Sequence, residues 1–205
     1  MAIVKHYFRK MSFTDRATAT PALRDPRAMR ALAHPARLAI LERLSTEGPA
    51  TATECAAVTG QSPSACSYHL RALAKWGLVE ETEGDDRRER RWRVLGPFVI
   101  GEHDGPRRAD VAAAEHALTA EVLSRSTTRV LDWMDASDAE PREWRTAALV
   151  SSRNLLMTAA ELEAVIEQVD AMLAPYRASD RRGAEPSDAR LVHLHLSAVP
   201  SVRST

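Results

Sequence analysis

Five arginines, Arg87, Arg88, Arg90, Arg91 and Arg93, fall within seven residues of one another. A guanidinium is a permanently charged planar fork of N–H donors, so a cluster this dense suits the recognition of phosphate or carboxylate, not proton transfer. A second group, Ser62, Ser64, Ala65, Ser67, Tyr68 and Arg71, places hydroxyls, a methyl, a phenol and a further guanidinium within ten residues. These are types that hydrogen-bond polar surfaces and touch small apolar ones. Catalysis lacks its parts. His69 has no nucleophile or carboxylate at a spacing that forms a triad, and no Gly-rich phosphate loop is present.

Metal chemistry has weaker material still. Cys55 and Cys66 are the only two cysteines, too few for a disulfide framework, and each reads as a reduced, small buried hydrophobe. His103 and His116 have Asp104, Asp110 and Glu115 near them in sequence. His193 and His195, at i and i+2 of an expected strand, point to one face and could hold a metal with a third ligand. The plainer reading makes them exposed histidines opposite a buried face of Val192, Leu194 and Leu196. No metal and no cofactor is expected.

The elements that must carry these residues follow from caps, prolines and periodicity. With 205 residues, 44% hydrophobic and 27% charged, the chain suits one or two folded domains and is not a disordered one. No apolar run approaches the ~20 residues of a bilayer helix, and Lys5, His6, Arg9 and Lys10 break any signal-like N-terminus. A cytoplasmic protein is expected. Residues 1–24 lack amphipathic periodicity and contain a second candidate start, Met11, so they read as a flexible arm. Asp25-Pro26 opens a short helix with Met29 and Leu32 on its face, which His34-Pro35 interrupts; the stripe resumes with Leu38, Leu41 and Leu44 and stops at Gly48-Pro49. Thr51 and Glu54 form a capping box for a helix that runs to Gly60. Ser62-Pro63 starts another, with Cys66, Leu70 and Leu73 on one face. Two short helices around a tight turn make a helix-turn-helix.

From Leu78 the period becomes alternating, and Arg90 to Leu95 returns as a second strand. The arginine cluster therefore sits on the tip and returning strand of a hairpin, with Arg91 and Arg93 on the face opposite Trp92 and Val94. A basic hairpin after a helix-turn-helix has the outline of a DNA-binding wing. The 28 basic and 28 acidic residues cancel overall. Their distribution does not: residues 1–24 carry +4, residues 25–95 carry +1 and residues 96–205 carry −5. A polyanion would meet the first half.

These residues carry a family resemblance. Leu32-Ala-His-Pro-Ala-Arg-Leu-Ala-Ile-Leu41, Ser64-Ala-Cys-Ser-Tyr-His-Leu-Arg-Ala-Leu73, Lys75-Trp-Gly-Leu-Val79 and Arg87-Arg-Glu-Arg-Arg-Trp92 resemble ArsR-type winged helix-turn-helix transcriptional regulators over residues 25–95. Looser motifs, Thr158-Ala-Ala-Glu-Leu162, Tyr176 and Leu191 to Pro200, resemble the C-terminal half of a group of bacterial members. The resemblance implies a dimer that binds operator DNA and usually represses. Metal-sensing relatives carry a Cys-x-Cys pair just before the position of Glu54, where this chain has Thr51 and Thr53. The histidines near residue 110 also do not reproduce the Asp-x-His…His-x-x-Glu pattern of zinc-binding members.

Once Cys66, Leu70 and Leu73 are committed to the core, Ser64, Ala65, Ser67, Tyr68 and Arg71 remain to face a major groove. An alternative leaves Tyr68 and Arg71 on phosphates only. His69 reads as structural or phosphate-bonding. Arg87 and Arg88 suit phosphates or the minor groove. In the second half, Val111, Ala114, Leu118 and Val122 predict a long helix with a break near Ser124 to Thr128. Leu162, Val165, Ile166, Val169, Met172 and Leu173 predict another, whose stripe suits either a dimer seam or packing on a sheet at residues 190–198. Trp133 and Trp144 could line an effector pocket, although large aromatics ordinarily fill core.

The expectation is an α+β, mainly α chain: an arm over 1–24, a winged helix-turn-helix over 25–95, and a helical dimerisation and effector region over 96–205 ending in a short strand. Its partners would be double-stranded operator DNA, a second copy and an unidentified effector. The rival reading is a winged-helix module that binds protein.

Overall fold

The computed structural model describes residues 22–23, 25–82, 90–95, 99–100 and 108–201. Asp25 caps the first helix, α1 (Pro26–Leu32), through its carboxylate, which accepts from the Arg27 N–H at 2.8 Å. Pro26 then occupies a position whose N–H would be unpaired in any case. The next helix, α2 (Pro35–Glu47), has an unusual cap: His34 Nδ1 accepts from the Ala36 N–H at 3.2 Å. Gly48 closes α2 at φ 90°, a region that favours glycine, and a Cβ there would lie 2.5 Å from Arg182 Nη1.

Thr51 and Glu54 make the expected reciprocal capping box on α3 (Ala52–Thr59), and Gly60 ends it in the left-handed region. Ser62 caps α4 (Pro63–Ala74) by accepting from the Ala65 N–H at 3.2 Å. The hairpin strands are β3 (Val79–Thr82) and β4 (Arg91–Val94), paired antiparallel with Val79 opposite Val94. A third strand, β2 (Ala50–Thr51), joins on the far side of β4 with Ala50 opposite Trp92, so the order is β2-β4-β3. This is the winged helix-turn-helix expected from the sequence. Separately, β1 (Ala22–Leu23) pairs in parallel with β5 (Val99–Ile100); the rest of the expected arm lies outside the described residues.

One core serves this half. Met29, Leu32, Ile40, Leu70, Leu73, Leu78 and Val79 are almost fully buried, with Cys55 and Cys66 among them as small apolar side chains. Burial pushes the Cys55 thiol up to about 11. The long helix α5 (Ala109–Ala136) adds Val111, Ala114, Leu118 and Val122 to the same cluster. Arg30 on α1 donates to the Asp110 carbonyl at its start.

Three expectations for the second half are corrected. Helix α5 does not break near Ser124 to Thr128. The hydroxyls of Ser126 and Thr128 donate back to the Val122 and Ser124 carbonyls, each at 3.1 Å, and the helix continues through them. The terminal strand is absent: residues 190–201 carry no helix or ladder. Val192, Leu194 and Leu196 are exposed instead of buried. Consequently α7 (Ala159–Leu173), which follows α6 (Arg142–Ala147), has no sheet to pack on, and its stripe is at best half-buried. A short α8 (Ala178–Arg181) completes the described elements.

Polar contacts bring the second half to the first. Glu42 on α2 accepts from Arg125 at 3.0 Å and from Arg129, both on α5. Arg182 donates to the Ser45 carbonyl near the C-terminus of α2 at 3.2 Å, placing a cation at the negative end of that helix.

Candidate nucleic-acid interface

Helix α4 divides cleanly by face. Cys66, Leu70 and Leu73 are wholly buried, which leaves Ser64, Tyr68 and Arg71 exposed and Ala65 and Ser67 half-exposed at their rim. Tyr68 is the clearest case, since 63% of a large aromatic side chain stands in solvent. The Oγ of Ser62 accepts at the helix start, and its own hydroxyl hydrogen stays available for an external acceptor.

Ser67 and Arg71 share a cleft of about 240 Å³ with Thr51, Ala52 and Thr53 from the start of α3 and Glu81, Arg90 and Trp92 from the hairpin. In the sequence Arg71 and Arg90 belong to separate elements; the fold brings them to one opening. Arg90 pairs there with Glu81 at 3.4 Å, and both side chains are largely solvated, so the pair is weak and the guanidinium is readily lent to another anion. Thr53, exposed beside this cleft, is not among the residues the sequence points to as an interface, since it stands out there only as a threonine where metal-sensing relatives carry a cysteine.

The hairpin arginines do not act alike. Arg91 faces away from Trp92, as the alternation requires, yet it donates to Glu54 at 3.1 Å and to the Pro49 carbonyl at 3.2 Å. It staples the wing to the start of α3. The Glu54 carboxyl is held below its usual range by the Thr51 N–H and by the Arg91 charge. Arg93 is paired with Glu80 across the hairpin. Arg87 and Arg88 lie outside the described residues.

Behind the exposed face sits a polar group. His69 is 7% exposed, and its Nε2 lies 2.9 Å from Gln61 Oε1 in the turn between α3 and α4. Its ring centroid lies 4.7 Å from that of His34, with the two rings tilted at 47°. Burial, followed by the neighbouring charge of Arg37, holds His34 below the ordinary imidazole value; burial and His34 do the same for His69. His69 is thus a structural histidine.

The other candidates from the sequence fall elsewhere. His193 accepts from Arg129 at Nδ1 (2.9 Å) and bonds Ser126 Oγ at Nε2 (3.2 Å), while His195 bonds Ser197. Among the described residues no group of three His, Cys, Asp or Glu side chains is placed to hold a metal. Trp144 carries the Arg190 guanidinium over its ring at 5.0 Å; a shallow hollow close by is lined by Arg142, Glu143, Thr146 and Ala147, not by either tryptophan. No helix among the described residues is long and apolar enough to cross a membrane.

Residues 32–82 match the family model described as a helix-turn-helix domain, about a quarter of the chain. No curated protein matches. Among solved structures, the chain is similar to transcriptional regulator Tm0710 from Thermotoga maritima, at 12% identity over 70% of this chain and 78% of that one, TM-score 0.29. It is also similar to YusO from Bacillus subtilis, at 17% over 73% and 80%, TM-score 0.32. A mutant of MarR from E. coli matches at 15% over 72% and 87%, TM-score 0.29. At these scores the likeness says nothing of what this chain binds.

Proposed function

We propose that this chain is a sequence-specific DNA-binding transcriptional regulator of the ArsR type, acting as a homodimer on a pseudo-palindromic operator and repressing by occupancy. The observation that carries the reading is the two-faced α4 of the helix-turn-helix domain. One face is fully buried, while the other presents Ser64, Ser67, Tyr68 and Arg71 beside Arg90 of the wing. A helix held rigidly on one side, with polar side chains near its N-terminal end on the other, is what a major groove accepts.

In this reading Arg71 donates two hydrogen bonds to a guanine, Tyr68, Ser64 and Ser67 bond bases or phosphates, Ala65 meets a thymine methyl, and Ser62 bonds a phosphate. Arg87, Arg88 and Arg90 serve the backbone beside the recognition helix. No bond is made or broken, so neither a catalytic residue nor a cofactor is required, and the protein works in the cytoplasm where its operator is. The homodimer is supported by the exposed stripe Leu123, Val130, Leu131 and Met134 along α5, since a contiguous exposed apolar stripe suits a protein–protein contact. A small-molecule effector would be met in the same C-terminal half.

The test is binding to a duplex selected by this protein from random sequence, measured across salt concentrations. A regulator loses affinity linearly in log–log form as counterions compete, and Arg71→Ala should reduce affinity for the selected duplex more than for a scrambled one. Affinity that ignores salt would favour a protein-binding winged helix.

A further inference from the structure

The face of α4 opposite its proposed DNA-reading side contains a group that the reading leaves unused. His34, the residue that caps α2, and His69, in the middle of α4, bring their rings within 4.7 Å at a tilt of 47°. Each ring is committed to a neutral form. His34 Nδ1 must be unprotonated, because it accepts the Ala36 N–H that begins α2. His69 Nε2 carries its proton to Gln61 Oε1, and its other nitrogen, Nδ1, is buried with no partner.

The surroundings make a second positive charge unwelcome. Arg37, one turn into α2, faces both rings, and its own Nε is buried without a partner. Glu121 of α5 is the carboxylate that faces His34, and no carboxylate faces His69 among the described residues. The phenol of Tyr68 stands edge-on to His69 at 5.7 Å. A proton on His34 removes the cap and sets a cation at the positive end of α2. A proton on His69 Nδ1 places a buried N–H without an acceptor and a charge beside Arg37. Movement of α4 against α2 relieves either, and α4 carries Tyr68 and Arg71.

We propose that a proton taken up by the His34–His69 pair displaces the reading face of α4, so that mild acid releases the protein from DNA. The inference rests on the DNA-binding reading, and its sign is distinctive. Protonating histidines adds positive charge, which by itself strengthens attraction to a polyanion; here acid weakens it, because the charge arrives behind the interface and displaces the element that makes the contacts.

The experiment measures fluorescence anisotropy of the duplex selected at pH 7.5, from pH 8 to pH 5.5 at fixed ionic strength, alongside hydrogen exchange of the α4 amides corrected for intrinsic rate. Release linked to one proton changes affinity by up to about tenfold per pH unit, and a loss of about tenfold by pH 5.5 is expected. His34→Asn, which keeps an N-capping oxygen and does not titrate, should bind like wild type at pH 7.5 and lose less than half as much in acid. His34→Asn with His69→Gln should be flat; if that pair fails to fold, the single variant decides. Affinity that holds or rises in acid, or a His34→Asn profile that falls like wild type, overturns the proposal and leaves the DNA reading intact. A protein that binds no DNA at pH 7.5 refutes that reading; α4 protection then decides the coupling, sustained if it is lost in acid by wild type and kept by His34→Asn, overturned if it is not.

Discussion

Residues 25–95 and residues 127–201 are written with the same local signals and end in opposite conditions. Each has a Thr-x-x-Glu capping box, Thr51 with Glu54 and Thr158 with Glu161, and both boxes are formed with their two reciprocal hydrogen bonds. Each has a helix with an apolar stripe, Cys66-Leu70-Leu73 in one and Leu162-Ile166-Val169-Leu173 in the other. In the first region the stripe is dry. In the second, no described residue after Ser126 is buried, and Leu149, Leu155, Leu156, Met172, Leu191 and Val199 stand mostly in water. Caps and periodicity therefore decide that a helix forms; what covers it is decided by chain elsewhere. For the second region no such cover is found among the described residues, which is the physical ground for proposing a second copy.

The largest expected effect tests whether the two regions differ in energy as they do in burial. Leu70→Ala should lower the unfolding free energy by about 2–5 kcal/mol, because it opens a cavity where nothing can collapse. This loss should not depend on protein concentration. Leu156→Ala, at a position with its side chain wholly exposed, should cost under about 0.5 kcal/mol in dilute protein. Urea unfolding at two concentrations measures both. A large cost for Leu156→Ala that grows with concentration would show that a partner buries it.

Next in size is association itself. Leu131→Asp combined with Met134→Asp puts two charges on the exposed stripe of α5 and should turn a sedimenting dimer into a monomer. The wild-type midpoint should rise with concentration by an amount that mass action sets, about 1.4 kcal/mol for each tenfold. A double variant that remains a dimer would move the interface off α5.

What could be read from the sequence follows the same division. The starts of α1, α3, α4 and α7 were legible because each carries a polar cap or an N1 proline whose role is local. Two-residue β2 was not, since Ala50 and Thr51 become a strand only by pairing with Trp92 and Arg91 some forty residues on. Arg91 could be placed on the outer face of its strand by alternation. Its engagement with Glu54 could not, because that needs the wing folded back on α3. His34 reads as an interruption before Pro35 and as part of the His-Pro motif, and its ring contact with His69 joins residues with no shared period. The terminal strand failed for the converse reason. Alternation over Val192, Leu194 and Leu196 gives a strand its faces but not its neighbour, and a ladder requires one.

The contacts between the two regions should show an intermediate effect. Glu42, Arg125 and Arg129 have side chains 24–30% exposed, so the cluster lies between a solvated pair and a buried one. Glu42→Gln should cost about 1–2 kcal/mol by leaving two guanidiniums without their anion, and it should speed proteolysis after Ser126 more than before it. His193 belongs to the same cluster. Burial and then Arg129 depress its folded value below the ordinary imidazole 6.5. Its contribution is therefore complete above that value and lost as pH falls below it, because the unfolded chain takes up the proton first. Denaturation between pH 7.5 and 5.5 should show a smaller decline in His193→Gln than in wild type. Equal declines would detach the C-terminal segment from the cluster.

The smallest effect compares the two capping boxes directly. Thr51→Ala removes the oxygen that accepts from Glu54 N–H at 3.2 Å in a helix packed on all its inner side. Losing it should cost about 1 kcal/mol, read by every probe of global unfolding, because α3 cannot fray without opening the core. Thr158→Ala removes the same bond, also 3.2 Å, from α7. Here the helix is solvated around most of its circumference, so the first turn can fray alone, and the cost should be about 0.5 kcal/mol, at the level found for isolated helices. It should appear as faster exchange of the α7 amides, with the urea midpoint unmoved. The comparison is sharpest if both substitutions prove equal. A cap on an uncovered helix can matter to global stability only when that helix is packed in the state being unfolded. Equal costs would therefore place α7, together with its Leu162-Ile166-Val169 stripe, inside the contact between two copies.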